Sequence, residues 1–226
     1  MKGIGLYGER MRVEELKRAA GHRAVDFVVP GMVVGLGSGT TARHATLHLA
    51  QLLREGTLHD IVGVPSSEQT RQLAKEEGIP LTSLDKESHI DLTIDGADEV
   101  APDFNLIKGL GGFLLREKVV ASVTKQEIIV VDDSKLVPIL GSKKPVPVEV
   151  VRFGWRCTQN ALDRTGAETA LRLRSGRPYV TDEGNYIIDC RYDEIASPKE
   201  LATTLNIIPG VVENGLFLGL VDVVVV

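Results

Sequence analysis

The chain has 226 residues, 43% of them hydrophobic and 25% charged, with a formal net charge of −5. That is enough material for one large domain, or for a main domain with a small satellite, in an ordinary globular protein. The acidic balance argues against a general nucleic-acid binder. No apolar run reaches the length of a membrane span, and the N-terminal stretch MKGIGLYGERMRVEELKRAA lacks the apolar centre of a secretory leader.

Residues 13–29, rich in Glu, Lys, Arg and Ala, predict an amphipathic helix that Pro30-Gly31 stops. Residues 32–35 read as a short apolar strand running into the glycine-rich tract GLGSGTTA at 35–42, and residues 41–54 as a second helix. A strand at 60–64 leads to a helix capped by Ser66 or Ser67 and ending near Glu77. Residues 90–94 form the next strand, ending at Asp95; residues 113–122 are helical; and EIIVV at 127–131 is a strand buried on both faces. Strands alternating with helices predict an α/β, Rossmann-like domain with a mainly parallel sheet.

After Gly141 the pattern changes, and KKPVP at 143–147 reads as a boundary. Strand at 147–152, helix at 155–164, strands at 169–174 and 186–190 around a turn at 182–184, helix from Ser197-Pro198 to about 205, and strand at 211–216 follow. That order, β-α-β-β-α-β, is the ferredoxin-like α+β arrangement. The expected domains are therefore 1–142 plus 217–226, and 143–216, with the terminal run 220–226 returning to the main sheet. Cys157 and Cys190 form no C-x-x-C pair and are expected as buried or partly buried free thiols in a reduced, cytoplasmic chain. Phe153, Trp155 and the few other aromatics read as packing residues.

Three tracts could carry chemistry. In GLGSGTTA, a glycine turn before a helix start offers N–H groups and a partial positive charge suited to phosphate, and Ser38, Thr40 and Thr41 could add hydroxyl donors. It is neither a Walker A loop nor G-x-G-x-x-G, so a capped strand-to-helix turn is an equally simple reading. The acids of Asp95-Gly96-Ala97-Asp98-Glu99 follow a strand at its carboxyl end, where open α/β sheets bind ligands. A solvated turn or a magnesium site would also suit them. The third tract, Lys108-Gly109-Leu110-Gly111-Gly112, puts glycine N–H groups beside a cation, as an oxyanion site requires, and leads to Arg116-Glu117-Lys118. Arg116 and Lys118 would lower the pKa of Glu117, and burial would raise it. Lys135 is a further cation at a strand end. His44 and His48 lack the acid of H-E-x-x-H, so no metal site is expected there.

Taken together, GLGSGTTA, Pro65-Ser66-Ser67, TIDGADEV, KGLGG, REK, VDDSK, PVEV and IPGVV resemble the type A family of ribose-5-phosphate isomerases over nearly the whole chain. TIDGADE and KGxGG…REK carry the specificity of that resemblance; the glycine loop does not. It implies a Rossmann-like domain with a small α/β domain, and interconversion of D-ribose 5-phosphate and D-ribulose 5-phosphate. It also implies no metal, no organic cofactor and a homodimer or homotetramer. By resemblance Glu117 is the general base between C1 and C2, Asp95, Asp98 and Lys108 contact the sugar, and Asp98 assists ring opening. Ser38, Gly39, Thr40, Thr41, Gly96, Ala97, Gly109, Leu110, Gly111 and Lys135 complete the substrate-binding set.

The residue types suit that reaction. One carboxylate can take a proton from the carbon beside a carbonyl and return it to the neighbour, while a lysine and backbone N–H groups stabilise the cis-enediolate oxygen. The remote phosphate would hold the sugar in reactive geometry. Two enzymatic rivals are a coenzyme A transferase, with Glu117 as nucleophile, and a sugar-phosphate deaminase. A non-catalytic sugar-phosphate sensor is a third reading, but it would normally carry a basic DNA-binding helix that this chain lacks.

Overall fold

The structure, a computed structural model, describes residues 3–226, with side-chain surroundings from Val13 onward. In chain order the elements are α1 (Gly3–Val25), β1 (Val33–Leu36), α2 (Thr40–Arg54), β2 (Val62–Pro65), α3 (Glu68–Glu76), β3 (Leu92–Asp95), β4 (Glu99–Val100) and β5 (Leu106–Ile107). They continue with α4 (Leu114–Ser122), β6 (Glu127–Val130), β7 (Val146–Val150), α5 (Trp155–Asp163), β8 (Glu168–Leu171), β9 (Leu173–Arg174) and β10 (Arg177–Pro178). The last are β11 (Tyr186–Arg191), α6 (Pro198–Asn206), β12 (Val211–Asn214), β13 (Leu216–Phe217) and β14 (Val223–Val225). No helix among the described residues is long and apolar enough to cross a membrane.

The chain divides into two compact units. The first holds the residues up to Gly96, with Val120–Ser134 and Val221–Val226. Its sheet runs β14-β6-β3-β1-β2, all parallel. The strands are apolar on both faces because helices cover both sides, as a parallel sheet requires. Leu49, Ile61, Leu92 and Ile128 are almost wholly buried in its core, and each contributes about 1.5–3 kcal/mol by leaving water. The terminal valine run does return to this sheet, as β14 beside β6. α1 ends at Val25, earlier than its composition predicts, because the amides of Asp26, Phe27 and Val28 each reach back three residues and tighten the chain into a turn.

Contacts group Ala97–Val119 with Lys135–Leu220 in the second unit. The cause lies in long-range pairing: β5 pairs with β13, and the buried Glu99 carboxylate accepts the amides of Gly141, Lys143 and Lys144 at 2.6–2.7 Å. The compact units therefore do not coincide with a boundary at residue 143. The antiparallel sheet of this unit runs β12-β7-β11-β8. Counted within β7-α5-β8-β11-α6-β12, that is fourth-first-third-second, the ferredoxin-like order. A three-stranded sheet, β13-β5-β4, and a β9–β10 hairpin are added. Their two-residue strands are too short to show a period in the sequence.

Three local expectations are corrected. Phe153 is not a packing residue; it is 93% exposed, beside the left-handed Gly154 that precedes α5. Cys157 is exposed, whereas Cys190 is buried, and burial pushes its thiol pKa far up. Ser197 occupies the N-cap position of α6 without a capping bond from its side chain, so Pro198 in the first turn marks that start.

Candidate active site

In the first unit the predicted residues gather at the carboxyl ends of β1 and β3. These strands are neighbours, yet the connection after β1 leads to β2 on the other side, so the crevice between them is a topological switch point. The approach is close. A Cβ on Gly35 would lie 2.0 Å from Thr93 Oγ1, and one on Gly37 would lie 2.4 Å from Asp95 Oδ1. Asp95 is 1% exposed, and its Oδ1 accepts the amides of Ser38 at 2.9 Å and Gly96 at 2.7 Å. The Ser38 hydroxyl turns inward to Ser66 at 3.0 Å, Ser67 at 2.7 Å and Thr70 at 3.1 Å. Thr70 in turn donates to Gly37 O, and Ser67 caps α3 by accepting the Thr70 amide. The outward part of the loop is Gly39 and Thr40, both exposed, while Thr41 is buried in the first turn of α2. Gly39, at φ 97°, caps α2 with no side chain over the helix start, which leaves its first-turn amides without a side-chain cap, an arrangement that suits an anion.

The second unit holds Asp98, the 108–112 loop and Glu117. Lys108 follows β5, and its amide donates to Gly215 O at 2.9 Å. Its ammonium is 3.6 Å from Glu117 Oε2, the two side chains being 3% and 6% exposed. It also lies 5.4 Å from the centroid of the buried Phe217 ring. Glu117 sits in the first turn of α4, where the helix dipole favours a carboxylate. Gly109 and Gly112 have φ of 105° and 94°, left-handed values that a side chain resists. The loop closes through Gly112 N to Gly109 O at 3.0 Å, and Asp98 Oδ2 accepts the Leu110 amide at 2.9 Å. Ala97, Asp98 and Leu110 are half-buried and Gly111 is exposed. Lys135 is half-buried at the end of a short 3₁₀ turn, Asp133–Lys135.

The cations beside Glu117 in the chain serve elsewhere. Arg116 pairs with Glu183 and Asp182, and Lys118 binds Glu213 at 2.9 Å and Asn214 O at 2.6 Å. Successive helix residues point about 100° apart, so i and i+1 do not share a face. Burial lowers the Lys118 pKa, and Glu213 opposes that shift. The cation that meets Glu117 within this unit is Lys108, nine positions earlier. Among the described residues no group of three or more His, Cys, Asp or Glu is placed to hold a metal ion. His48 instead stacks on His22 at 3.9 Å, and His44 lies 3.3 Å from Glu14.

The profile of a family described as ribose 5-phosphate isomerase A (phosphoriboisomerase A) matches residues 62–226. The chain belongs to that family. It is 52% identical over 217 residues to ribose-5-phosphate isomerase A of Gloeobacter violaceus, covering 96% of this chain and 94% of that one. With the Chloroflexus aurantiacus protein of the same name it shares 53% over 208 residues, or 92% and 87% of the two chains. Among solved structures, the ribose 5-phosphate isomerase of Plasmodium falciparum superposes with a TM-score of 0.91 at 39% identity over 93% of each chain. A D-ribose-5-phosphate isomerase in complex with phospho-erythronic acid superposes with a TM-score of 0.92 at 42% identity, over 94% of this chain and 93% of that one.

Several residues around the site have no local signal in the sequence. Arg172 binds the carbonyls of Gly109 and Leu110, 63 and 62 positions away. Phe217 carries the Lys108 and Lys118 ammonium groups at 5.4 and 4.9 Å from its ring centroid. Thr70 is visible only as a polar residue in a helix, although the Ser66-Ser67 pair does mark the place where the hydroxyl cluster forms.

Proposed function

We propose that this chain interconverts D-ribose 5-phosphate and D-ribulose 5-phosphate through a cis-enediolate, in the non-oxidative branch of the pentose phosphate pathway. The observation that carries the reading is the buried pair of Glu117 and Lys108, 3.6 Å apart at the two ends of a glycine-rich turn. Glu117 is the general base, taking the proton from one carbon and returning it to its neighbour, a contribution of about 10²- to 10⁴-fold. Lys108 and the loop amides stabilise the oxyanion, worth roughly 3–4 kcal/mol for a strong donor. Asp98 contacts the sugar and assists ring opening. Asp95, Gly96, Ala97, Gly39, Thr40, Thr41, residues 109–111 and Lys135 belong to the same substrate-binding set, with the open start of α2 suited to the phosphate and Ser38 holding that loop through its amide and hydroxyl.

Family membership supports this reading, as does the relative that holds phospho-erythronic acid. We place the enzyme in the cytoplasm as a homodimer or homotetramer, acting on the sugar phosphate alone. Purified protein mixed with ribose 5-phosphate should form ketose; binding of the sugar phosphate without ketose formation would overturn the assignment.

A further inference from the structure

Arg172 lies between β8 and β9, 12% exposed. Its Nε donates to Asp189 Oδ2 at 2.9 Å and its Nη2 donates to Oδ1, a two-point pair across to β11. The remaining nitrogen, Nη1, donates to Gly109 O at 2.7 Å and to Leu110 O at 3.1 Å. In a trans peptide the carbonyl and the amide N–H point opposite ways. With the Gly109 carbonyl turned to Arg172, the Leu110 amide in the same plane turns away from it, and there it donates to Asp98 Oδ2 at 2.9 Å. One peptide unit is thus held at both ends, by a guanidinium on its oxygen and a carboxylate on its nitrogen. Each hydrogen bond polarises the other. The Leu110 carbonyl, also on Arg172, directs the Gly111 N–H away from the guanidinium in the same manner.

Building on the isomerase reading, we propose that Arg172 is a positioning residue. Through the peptide joining Gly109 to Leu110 it fixes the Asp98 carboxylate for the aldose–ketose reaction, and Asp189 sets the orientation of its fork. Only a planar guanidinium has donors enough in one plane for a carboxylate and two carbonyls together. Lysine keeps the charge and loses the geometry. A simple structural clip would also use Arg172, but its removal would then act on catalysis independently of Asp98.

The test is a double-mutant cycle on kcat and KM for ribose 5-phosphate, using wild type, Arg172→Lys, Asp98→Asn and the double variant. Arg172→Lys should lower kcat about 10²-fold, the scale of a misplaced catalytic geometry, with KM nearly unchanged. In the Asp98→Asn background the same substitution should cost less than about threefold, because the coupled partner has already lost its carboxylate. Equal losses in the two backgrounds would overturn the proposal. If Arg172→Lys does not fold, Asp189→Asn, which keeps Arg172 and loosens it, is read by the same cycle and the same criterion. A wild-type protein without turnover would refute the isomerase reading and this role with it, whereas a working wild type with equal losses refutes the role alone.

Discussion

The Asp95 cluster of the first unit and the Lys108–Glu117 pair of the second bring polar groups together by different physical means. At the strand ends of the first unit the groups are a carboxylate held by backbone amides and a cluster of four hydroxyls. The hydroxyls cost little to bury once they are mutually hydrogen-bonded, and the burial of the Asp95 carboxylate is offset by the amides that donate to it. The second unit instead buries a lysine and a glutamate almost completely. Isolated ions in that setting are costly, and each is tolerable because the other is present. On the proposed function the first arrangement would hold the ligand and the second would serve the reaction, since groups already stripped of water need little reorganisation when negative charge develops on substrate.

The sharpest way to break that contrast is Glu117→Gln. It keeps the size of the side chain and removes the proposed proton carrier, and because it also takes the countercharge from the buried Lys108, the melting temperature should fall as well. We expect kcat to fall by about 10²- to 10⁴-fold with KM changed little. Steady-state kinetics on ribose 5-phosphate decides it: a variant with near wild-type kcat removes Glu117 from the chemistry and leaves the buried pair as a structural feature.

Lys108→Met comes next. It removes the proposed oxyanion donor, and kcat should fall about 10²- to 10³-fold. It also leaves the Glu117 carboxylate without its 3.6 Å countercharge. Thermal unfolding should report this as lost stability, since breaking a buried pair costs about 3–5 kcal/mol. Kinetics and melting therefore move together here, whereas a surface lysine would shift neither by much. A fully active Lys108→Met protein with an unchanged Tm would show that the pair is not the electrostatic centre of this unit.

Much of this was legible in the sequence, and the reasons differ by region. The parallel sheet was readable because its strands are continuous apolar runs between helices, and the ferredoxin-like order because turns and caps separate its elements. The tract from Asp95 to Lys108 to Glu117 stood out because it crowds acids, a cation and glycines together, and the structure buries Lys108 beside Glu117. What escaped was long-range. Glu99 belongs to the acidic motif by sequence, yet it serves as a clip for amides more than 40 positions away. Arg116 and Lys118 flank Glu117 along the chain but point to other partners, because adjacency on a helix is not adjacency in space. Arg172 meets the glycine loop only after β8 has paired with β11, a register that no local pattern encodes.

The smallest expected effect sharpens the contrast from the first unit. Ser38 resembles a phosphate-binding hydroxyl in the sequence, but its Oγ faces Ser66, Ser67 and Thr70. Ser38→Ala should leave those three buried hydroxyls one partner short and cost about 1–3 kcal/mol of stability. Turnover should hold within about threefold, because the backbone amide that binds Asp95 is kept and uncoupled sites act independently. Urea unfolding with an unchanged m-value reads the first, and kinetics reads the second. The reverse pattern, kcat collapsing while the midpoint stays put, would turn that hydroxyl towards substrate and make the first unit a participant in the chemistry instead of a grip.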